Sequence, residues 1–345
     1  MAPLNYAGQA YEWCRALERA DGQTVAQNAM VRTRSDFHHM ADYEVPVAAY
    51  AASGPWHRRW SDHVLSHATH VIVEGQKQPL GSILTETTEQ QVRRLQATGI
   101  HVAMLCHGSD IRLPSRHAAL EADSPFADPQ HASTRRLERA AMQNAALLDR
   151  LQLPVFVSTP DLLLDVPRAT WLPVVIQPER WHTDAAPFER ERPVVVHAPS
   201  SGWLKGTDLI DETMSRLHDE GLIEYRRLRG LPHSAMREAY GSADVVLDQF
   251  RLGGYGVAAV EALAAGRLVI GWVTDQVRRS VRDTTGRELP IVSVRASRLE
   301  SSIRSLLADR EAARARAAAG PAFVRAVHDG TLSASVLQPF LAGSR

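Results

Sequence analysis

The stretch Leu252-Gly-Gly-Tyr-Gly-Val-Ala-Ala-Val-Glu-Ala-Leu-Ala-Ala-Gly-Arg-Leu-Val-Ile-Gly271 decides the fold of this chain. The mostly apolar residues 243–247 precede it and predict a buried strand, and residues 257–265 predict a short apolar helix. Gly266 ends that helix, and a second strand starts directly after it. This order of strand, glycine turn and helix is typical of an α/β domain.

The glycine turn predicts a phosphate site. Backbone N–H groups and the positive end of the helix dipole point at whatever lies before the helix, and both favour an anion. Gly254 and Gly256 let the backbone approach a ligand closely. Glu261 would repel phosphate, but its carboxylate could accept hydrogen bonds from sugar hydroxyls. Together they suggest a nucleotide, although many glycine turns before helices bind nothing.

Composition describes an ordinary globular protein without a bulk charge. The 345 residues suffice for two domains, and 39 basic residues balance 39 acidic ones, which gives no indication of nucleic acid or an anionic membrane as partner. Two separated cysteines, Cys14 and Cys106, fit a reducing cytoplasm, and no apolar run has membrane-spanning length. The only lysines are Lys77 and Lys205, so Lys205 stands out.

Strands and helices alternate along the chain, which predicts parallel sheets with helices on both faces. The polar residues 32–43 predict a loop. Residues 177–192 contain two prolines, have mixed charge and show no periodicity, so they predict a linker between two domains. The expected ranges are an amino-terminal domain over 1–176, the linker over 177–192, a second domain over 193–320, and a carboxyl-terminal helix within 321–345 that returns to the first domain.

The start of the chain lacks a clear first strand. A glycine turn at Asn5-Tyr-Ala-Gly8 comes almost immediately, so the strand that normally precedes such a turn is either missing or dispensed with. Later, His107-Gly-Ser-Asp110-Ile-Arg112 follows a predicted strand over 100–106. Open α/β sheets bind ligands at the carboxyl ends of their strands, which favours a functional cluster over residues that only cap a turn.

Three histidines, His63, His67 and His70, have a spacing that could hold a metal. They lack an acidic partner and a helical HExxH pattern. A solvated helix face is therefore the preferred interpretation.

Three passages resemble GT-B glycosyltransferases, and more narrowly the retaining family-4 type. Residues 197–207 resemble the phosphate loop of that family, in which a lysine precedes glycine, here Lys205-Gly206. Residues 254–266 resemble its donor-nucleotide segment and are the most specific match. His107-Gly-Ser-Asp110 resembles the histidine-bearing loop of its acceptor domain. The resemblance implies two Rossmann-like, doubly wound domains that face a central cleft.

The resemblance also implies a set of functional residues and partners. The implied partners are a nucleotide-diphosphate sugar as donor and a small molecule, a saccharide or a lipid-linked sugar as acceptor, with no metal and no cofactor. Retention in this fold is thought to need no protein nucleophile, so none is nominated. The implied residues are His107 and Lys205 for catalysis, Ser200, Lys205, Gly254, Tyr255, Gly256, Val257 and Glu261 for the donor, and Asn5, Gly8, Asp110 and Arg112 on the acceptor side.

Two positions depart from the family pattern. The donor segment of the family usually carries two glutamates with seven residues between them, and the first of these reaches the donor sugar. Here the second is Glu261, but the first position is Gly253. Many members also carry an arginine shortly before the lysine, whereas Ser200-Ser-Gly-Trp203 has no charge.

Two other functions fit part of the pattern. Gly254-x-Gly256-x-x-Ala259, with Asp275 further on, formally matches a dinucleotide-binding fingerprint, which would make the chain an oxidoreductase. That fingerprint normally lies in the first strand–helix unit of a domain, however, and this one comes late. A non-catalytic partner protein that keeps the GT-B fold is the other alternative, and the glycine at 253 favours it.

Overall fold

A computed structural model describes residues 1–33, 38–82 and 86–343 of the chain. The predicted loop over 32–43 includes residues 34–37, which lie outside the described residues. Two compact units form. Unit 1 comprises Met1–Leu113, Ala132–Val175 and Gly330–Arg345, and unit 2 comprises Pro114–His131 and Ile176–Asp329. The strand pairs within each unit are parallel, so the predicted α/β class is confirmed.

In the part of unit 1 that the structure describes, the strands are β1 Ala29–Arg32, β2 Tyr43–Pro46, β3 His70–Glu74, β4 His101–Cys106, β5 Val155–Val157 and β6 Thr170–Trp171. Four of them pair in the order β3-β4-β5-β6, and β1 pairs with β2. Buried apolar side chains dominate β4, as expected for a central strand that helices cover on both faces.

Residues 1–4, here called the amino-terminal segment, join these two groups of strands. The Met1 carbonyl accepts a hydrogen bond from Ala29 of β1, and the Ala2 carbonyl accepts one from Glu74 of β3 (2.9 and 2.8 Å). Ala2 also forms a parallel bridge with Val73. The first strand is therefore present, and the strand order β2-β1-segment-β3-β4-β5-β6 has a doubly wound arrangement.

Among the described residues, the helices of unit 1 are α1 Gln9–Ala20, α2 Val47–Ala52, α3 Gly54–His67, α4 Thr88–Ala97, α6 Ala132–Leu151 and, at the carboxyl end, α14 Thr331–Ala342. Helix α5 Pro114–Leu120 follows β4 in sequence but belongs to unit 2. Helix α4 begins with a capping box between Thr87 and Gln90. Trp13 of α1 is fully buried, and its indole donates to the Pro173 carbonyl (2.8 Å). Truncating such a side chain costs about 3–5 kcal/mol.

The sheet of unit 2 has five strands: β7 Val194–His197, β8 Glu224–Arg227, β9 Val245–Leu247, β10 Leu268–Gly271 and β11 Ile291–Ser293. Their order is β8-β7-β9-β10-β11. From β7 the chain proceeds to β8 on one side and to β9 on the other. The order of strands therefore reverses between β7 and β9, and open α/β sheets bind ligands outside the carboxyl ends of strands at such a switch point.

The helices of unit 2, apart from α5, are α7 Gly202–Lys205, α8 Thr207–Asp219, α9 His233–Gly241, α10 Val257–Ala264, α11 Asp275–Thr285, α12 Leu299–Ala308 and α13 Arg310–Val327. Their apolar faces enclose a core that includes Ile210, Met214 and Ile303. Helix α10 is apolar except for Glu261, and α13 packs against it. At Gly320 of α13 an added Cβ would lie 2.6 Å from the Leu263 carbonyl oxygen, so only glycine permits this close packing.

The units differ from the predicted domain ranges in three places. Residues 177–192 pack into unit 2 instead of forming a free linker, because Trp181 and Phe188 are buried there and the Phe188 amide donates to Asp244 (2.5 Å). The segment Pro114–His131 belongs to unit 2 although unit 1 surrounds it in sequence. Helix α13 runs past residue 320, so the chain returns to unit 1 only at Gly330.

The carboxyl-terminal helix α14 packs on α1 within unit 1. An added Cβ at Gly330, just before α14, would lie 2.7 Å from the Cβ of Ala16. In the described ranges, no helix has both the length and the apolar character that crossing a bilayer requires.

Candidate functional site

The loops that follow β7 and β9 lie side by side at the carboxyl edge of the unit 2 sheet. They contain Lys205 and the glycine turn, respectively. The amide of Phe250 donates to the Lys205 carbonyl (2.8 Å), which ties one loop to the other. Lys205 and Gly256 therefore lie on the same edge of their unit, at its switch point, as a shared anion site requires.

Lys205 is held by a carboxylate. Its Nζ lies 2.6 Å from Oδ1 of Asp248, the first residue after β9. The side chain of Asp248 is 3 % exposed and that of Lys205 is 18 % exposed, so the pair is largely shielded from solvent. An ammonium has three N–H donors, so Asp248 can fix the lysine while other donors remain for a ligand.

A second cation, Arg251, lies beside the lysine loop. Its Nη2 pairs with Asp208 in the first turn of α8 (2.6 Å), and its Nη1 donates to the Trp203 carbonyl (3.4 Å). Its Cγ is 3.0 Å from where a Cβ would stand on Gly206. The residues just before Lys205 carry no charge. Arg251, from the loop after β9, places a positive charge next to them.

Buried Gln249 shapes the loop that leads to the glycine turn. Its Oε1 accepts from the amides of Arg251 and Leu252 (3.1 and 2.6 Å), and its Nε2 donates to the carbonyls of Trp272 and Gly254. Sequence reasoning missed this residue, because a single glutamine in a loop gives no periodic signal.

Helix α10 begins as predicted, with Gly256 as its N-cap. No side chain caps this end, and no acidic residue stands in its first turn. The first amides of a helix lack partners within the helix, so those at Val257 and beyond form a local positive end. Exposed Ser200 stands in the loop before Lys205, and Ser201 caps α7.

The side chain of Tyr255, one of the residues predicted to bind the donor, faces the core of unit 2. It is buried, its ring meets that of His328 edge to face at 5.8 Å, and its hydroxyl lies 3.3 Å from His328 Nε2. The ring fixes the turn in the core of unit 2, which leaves only the Tyr255 backbone for a ligand.

Glu261 is buried on α10 and has a partner that the sequence did not reveal. His233, the first residue of α9, places its Nε2 2.7 Å from Glu261 Oε1. Burial raises the pKa of Glu261, and the hydrogen bond from His233 opposes that rise. The His233 ring is partly exposed, so the pair forms a polar spot one helical turn behind the glycine turn.

His197, at the end of β7, is a structural residue of this edge. Its Nδ1 lies 2.9 Å from the Leu247 carbonyl and must therefore carry the proton, so Nε2 accepts from the Thr207 hydroxyl (2.9 Å). Burial lowers the pKa of His197. The neutral ring links β7, β9 and the start of α8.

The glycine at 253 faces a carboxylate from elsewhere in the chain. A Cβ added there would lie 3.8 Å from Oε1 of Glu121, just after α5, and 2.7 Å from the Thr274 methyl group. Glu121 accepts from Trp272 Nε1 (2.8 Å) and pairs with Arg295 (3.3 Å), whose guanidinium stacks on the Trp272 ring at 3.9 Å. A carboxylate therefore stands next to Gly253.

On unit 1, the residues that follow the strands form a second polar edge. His107 Nε2 lies 3.0 Å from Oε1 of Glu74, the last residue of β3. Glu74 is fully buried, and its Oε2 has no partner among the described residues. Burial raises the pKa of Glu74, and the hydrogen bond with His107 opposes this. The sequence did not identify Glu74, because it ends an apolar strand without any motif.

The other acceptor-side candidates lie on the same edge but have protein partners. Asn5 donates to the Met40 carbonyl (2.8 Å), and Gly8 adopts φ +74° close to the His39 ring. Asp110 accepts from the amides of His107 and Gly108 (3.0 and 2.6 Å), which is the turn-capping role, and Arg112 pairs with Asp161. Exposed Tyr6 contacts the His107 ring at 5.1 Å.

No group of three or more His, Cys, Asp or Glu with metal-binding geometry occurs within residues 1–33, 38–82 and 86–343. His63 and His67 stack on each other at 4.9 Å on α3. The dinucleotide fingerprint follows β9, the third strand of unit 2, and Asp275 lies in the first turn of α11.

Comparisons with known proteins rest on structure alone. No protein-family model matches the sequence, and no curated protein matches it in sequence. HepE from Anabaena, in complex with UDP and glucose, is 12 % identical, covers 99 % of this chain and 98 % of its own, and has a TM-score of 0.62.

Two further solved structures match over nearly their whole length. Sucrose-phosphate synthase from Thermosynechococcus elongatus is 14 % identical over 98 % of this chain and 92 % of its own (TM-score 0.58). The catalytic domain of starch synthase IV from Arabidopsis thaliana, bound to ADP and acarbose, is 10 % identical. The match covers 99 % of this chain and 96 % of that domain, with a TM-score of 0.59. The fold of this chain is therefore that of the GT-B glycosyltransferases.

Proposed function

We propose that the chain is a glycosyltransferase that moves a sugar from a nucleoside-diphosphate sugar to an acceptor hydroxyl, with retention and without a metal. The observation that carries the proposal is the shared edge of Lys205 and the α10 amino terminus at the switch point of unit 2. The solved structures of the same fold include HepE with UDP and starch synthase IV with ADP, which supports a nucleotide ligand.

The leaving diphosphate defines what the site must do. The bond between C1 of the sugar and the phosphate oxygen breaks, a bond between C1 and the acceptor oxygen forms, and the acceptor proton passes to the leaving phosphate. Negative charge grows on the diphosphate as C1 departs. Lys205, the amides of α10 and the neighbouring Arg251 place positive charge at that position, where fixed charges stabilise a transition state most strongly.

Two residues distant in sequence compensate for the departures from the family pattern. Arg251 supplies the second cation that the loop before Lys205 lacks. Glu121 supplies a carboxylate next to Gly253, and we assign it the contact with the donor-sugar hydroxyls that the resemblance gives to a glutamate at 253. The pair of Glu261 and His233 is assigned to the ribose.

On unit 1, His107 is the proposed catalytic group. Glu74 holds Nε2 of the ring, which leaves Nδ1 for a hydroxyl or carbonyl of the substrate. Glu74 acts as the positioning residue. No protein nucleophile is proposed, because the acceptor oxygen attacks C1 on the face from which the phosphate leaves. No protein base is proposed either, because the leaving phosphate takes the acceptor proton.

The test is a titration with UDP, ADP, GDP and TDP in the presence of EDTA. Binding is measured by thermal shift and by calorimetry. We expect one base to raise Tm clearly, and the matching sugar nucleotides to be hydrolysed slowly with the initial sugar anomer retained in NMR. Binding without hydrolysis or transfer would support a non-catalytic partner instead. NAD binding with no response to any nucleoside diphosphate would refute the proposal.

A further inference from the structure

The carboxylate of Glu121 in unit 2 is held by only one of its oxygens. Its Oε2 accepts a hydrogen bond from Trp272 Nε1 (2.8 Å) and lies 3.3 Å from Nη2 of Arg295. Its Oε1 bonds no protein group in the part of the chain that the structure describes, and it lies 3.8 Å from the position of a Cβ added to Gly253. An ionised carboxylate accepts hydrogen bonds at both oxygens, so Oε1 has unused capacity on the side of the glycine turn.

The two groups that hold Oε2 are fixed to each other and to the sheet. The Arg295 guanidinium lies over the Trp272 ring, 3.9 Å from its centroid, which is a cation–π contact. Trp272 directly follows β10, and its amide donates to the Gln249 carbonyl (2.7 Å). Arg295 stands just after β11, the neighbouring strand. Both groups therefore belong to the carboxyl edge of the unit 2 sheet.

The segment that carries Glu121 gives this side chain little support of its own. Helix α5 ends at Leu120, which is exposed, and Ala122 is exposed as well. The side chain of Glu121 is nevertheless only 11 % exposed. Ordering a glutamate side chain costs conformational entropy, and the bonds to Oε2 offset that cost before any ligand arrives.

We propose that Arg295 and Trp272 are positioning residues for the donor sugar: they hold Glu121 by Oε2 and so direct Oε1 at a hydroxyl of that sugar. The inference rests on the proposed function, in which Glu121 contacts the donor sugar. It specifies the kind of donor, a sugar with a free hydroxyl at this contact. Neither positioning residue needs to touch the sugar, because each acts through Glu121.

The experiment is a double-mutant cycle on kcat/KM for donor hydrolysis. The substrate is whichever of UDP-glucose, ADP-glucose, GDP-mannose and TDP-glucose the parent protein hydrolyses fastest. Arg295→Ala should lower kcat/KM about three- to tenfold, because misplacing Glu121 cannot cost more than losing its contact. In a Glu121→Gln background, Arg295→Ala should cost less than about twofold, since no carboxylate remains to be positioned. A merely structural arginine would cost the same in both backgrounds.

Three further variants sharpen the cycle. Arg295→Lys keeps a cation for Oε2 and should retain more activity than Arg295→Ala. Trp272→Phe removes the Nε1 donor but keeps a ring under Arg295, and its cost should also disappear in the Glu121→Gln background. Arg298→Ala, the matched control, removes an exposed arginine three positions further on and should behave like the parent protein. The Kd of the nucleoside diphosphate should stay the same throughout, because the contact is with the sugar.

The outcomes separate this inference from the function on which it rests. A parent protein that hydrolyses none of these donors would overturn the proposed catalytic function and this inference together. A parent protein that hydrolyses a donor would overturn the inference alone if Arg295→Ala matched it. The same holds if the costs of Arg295→Ala and Glu121→Gln multiplied in full in the double variant.

Discussion

The two units place opposite chemistry at the same topological position. In unit 1 the switch point lies between the amino-terminal segment and β3, and it presents a buried carboxylate, Glu74, bound to His107. In unit 2 it lies between β7 and β9, and it presents Lys205 and an uncapped helix start. One edge is suited to hydroxyls and protons, whereas the other is suited to an anion.

The difference shows how one architecture carries different chemistry on two sheets. Parallel sheets fix where ligands bind, but the residues after each strand decide which ligand is bound. The two edges also differ in how many of their polar side chains already have partners within the protein. Asn5, Asp110 and Arg112 are committed to partners within unit 1, whereas Lys205 retains N–H donors.

The largest expected effect is on the anion side. Lys205→Ala should weaken the binding of the preferred nucleoside diphosphate about 10- to 100-fold, because a charged hydrogen bond is worth about 1.5–3 kcal/mol. Calorimetry measures this directly. Lys77→Ala removes the only other lysine, which lies in unit 1, and should change nothing.

Lys205→Ala also leaves Asp248 buried without its partner, so Tm should fall. Adding Asp248→Asn should restore much of the stability without restoring the affinity. If Lys205→Ala binds nucleotide as the parent protein does, the assignment of the anion edge is wrong.

A second prediction, with a smaller expected effect, tests the role of Glu121, the carboxylate beside Gly253. Glu121→Gln should lower kcat/KM for donor hydrolysis about tenfold while leaving the affinity for the nucleoside diphosphate unchanged, because the contact is with the sugar. Asp123→Asn is the matched control, since Asp123 also pairs with Arg295.

Gly253→Glu should not rescue Glu121→Gln. Position 253 has φ +72°, and a Cβ there would lie 2.7 Å from the Thr274 methyl group. A rescued double variant would show that the glycine is not a structural requirement.

The smallest effect concerns the pH dependence of unit 1. Burial raises the pKa of Glu74 in the folded protein above its unfolded value. Its contribution to stability is therefore fully present below the unfolded pKa, about 4.3, and is lost as pH rises through the folded value. Glu74→Gln should match the parent in Tm at low pH and exceed it at neutral pH, with lower activity. Parallel Tm profiles across this range would contradict the assignment.

Local patterns in the sequence predicted the class of the fold and the strand, glycine turn and helix at the carboxyl edge of the unit 2 sheet. The apolar run before Leu252, the glycines and the helix of residues 257–264 are adjacent in sequence, so propensity and periodicity suffice to identify them. The amino-terminal segment escaped detection because four residues, one of them proline, show no periodicity. Its strand character comes from neighbours that lie far along the chain.

The partners of the site residues could not be predicted for the same reason. Asp248, His233 and Glu121 reach Lys205, Glu261 and Gly253 only through tertiary packing. Glu121 is the hardest of the three to predict, because it lies between β4 and α6 in sequence, whereas its segment belongs to unit 2. A single sequence contains no record of such pairings.

The interleaving of the two units sets an order of synthesis and folding. Unit 1 lacks α14 until residues 331–342 have been made, and α14 completes the core around Trp13. Unit 2 needs residues 114–131, which the ribosome delivers long before the rest of that unit. A polypeptide cut at residue 176 would leave both halves incomplete, so we expect the two fragments to be recovered folded only when they are produced together.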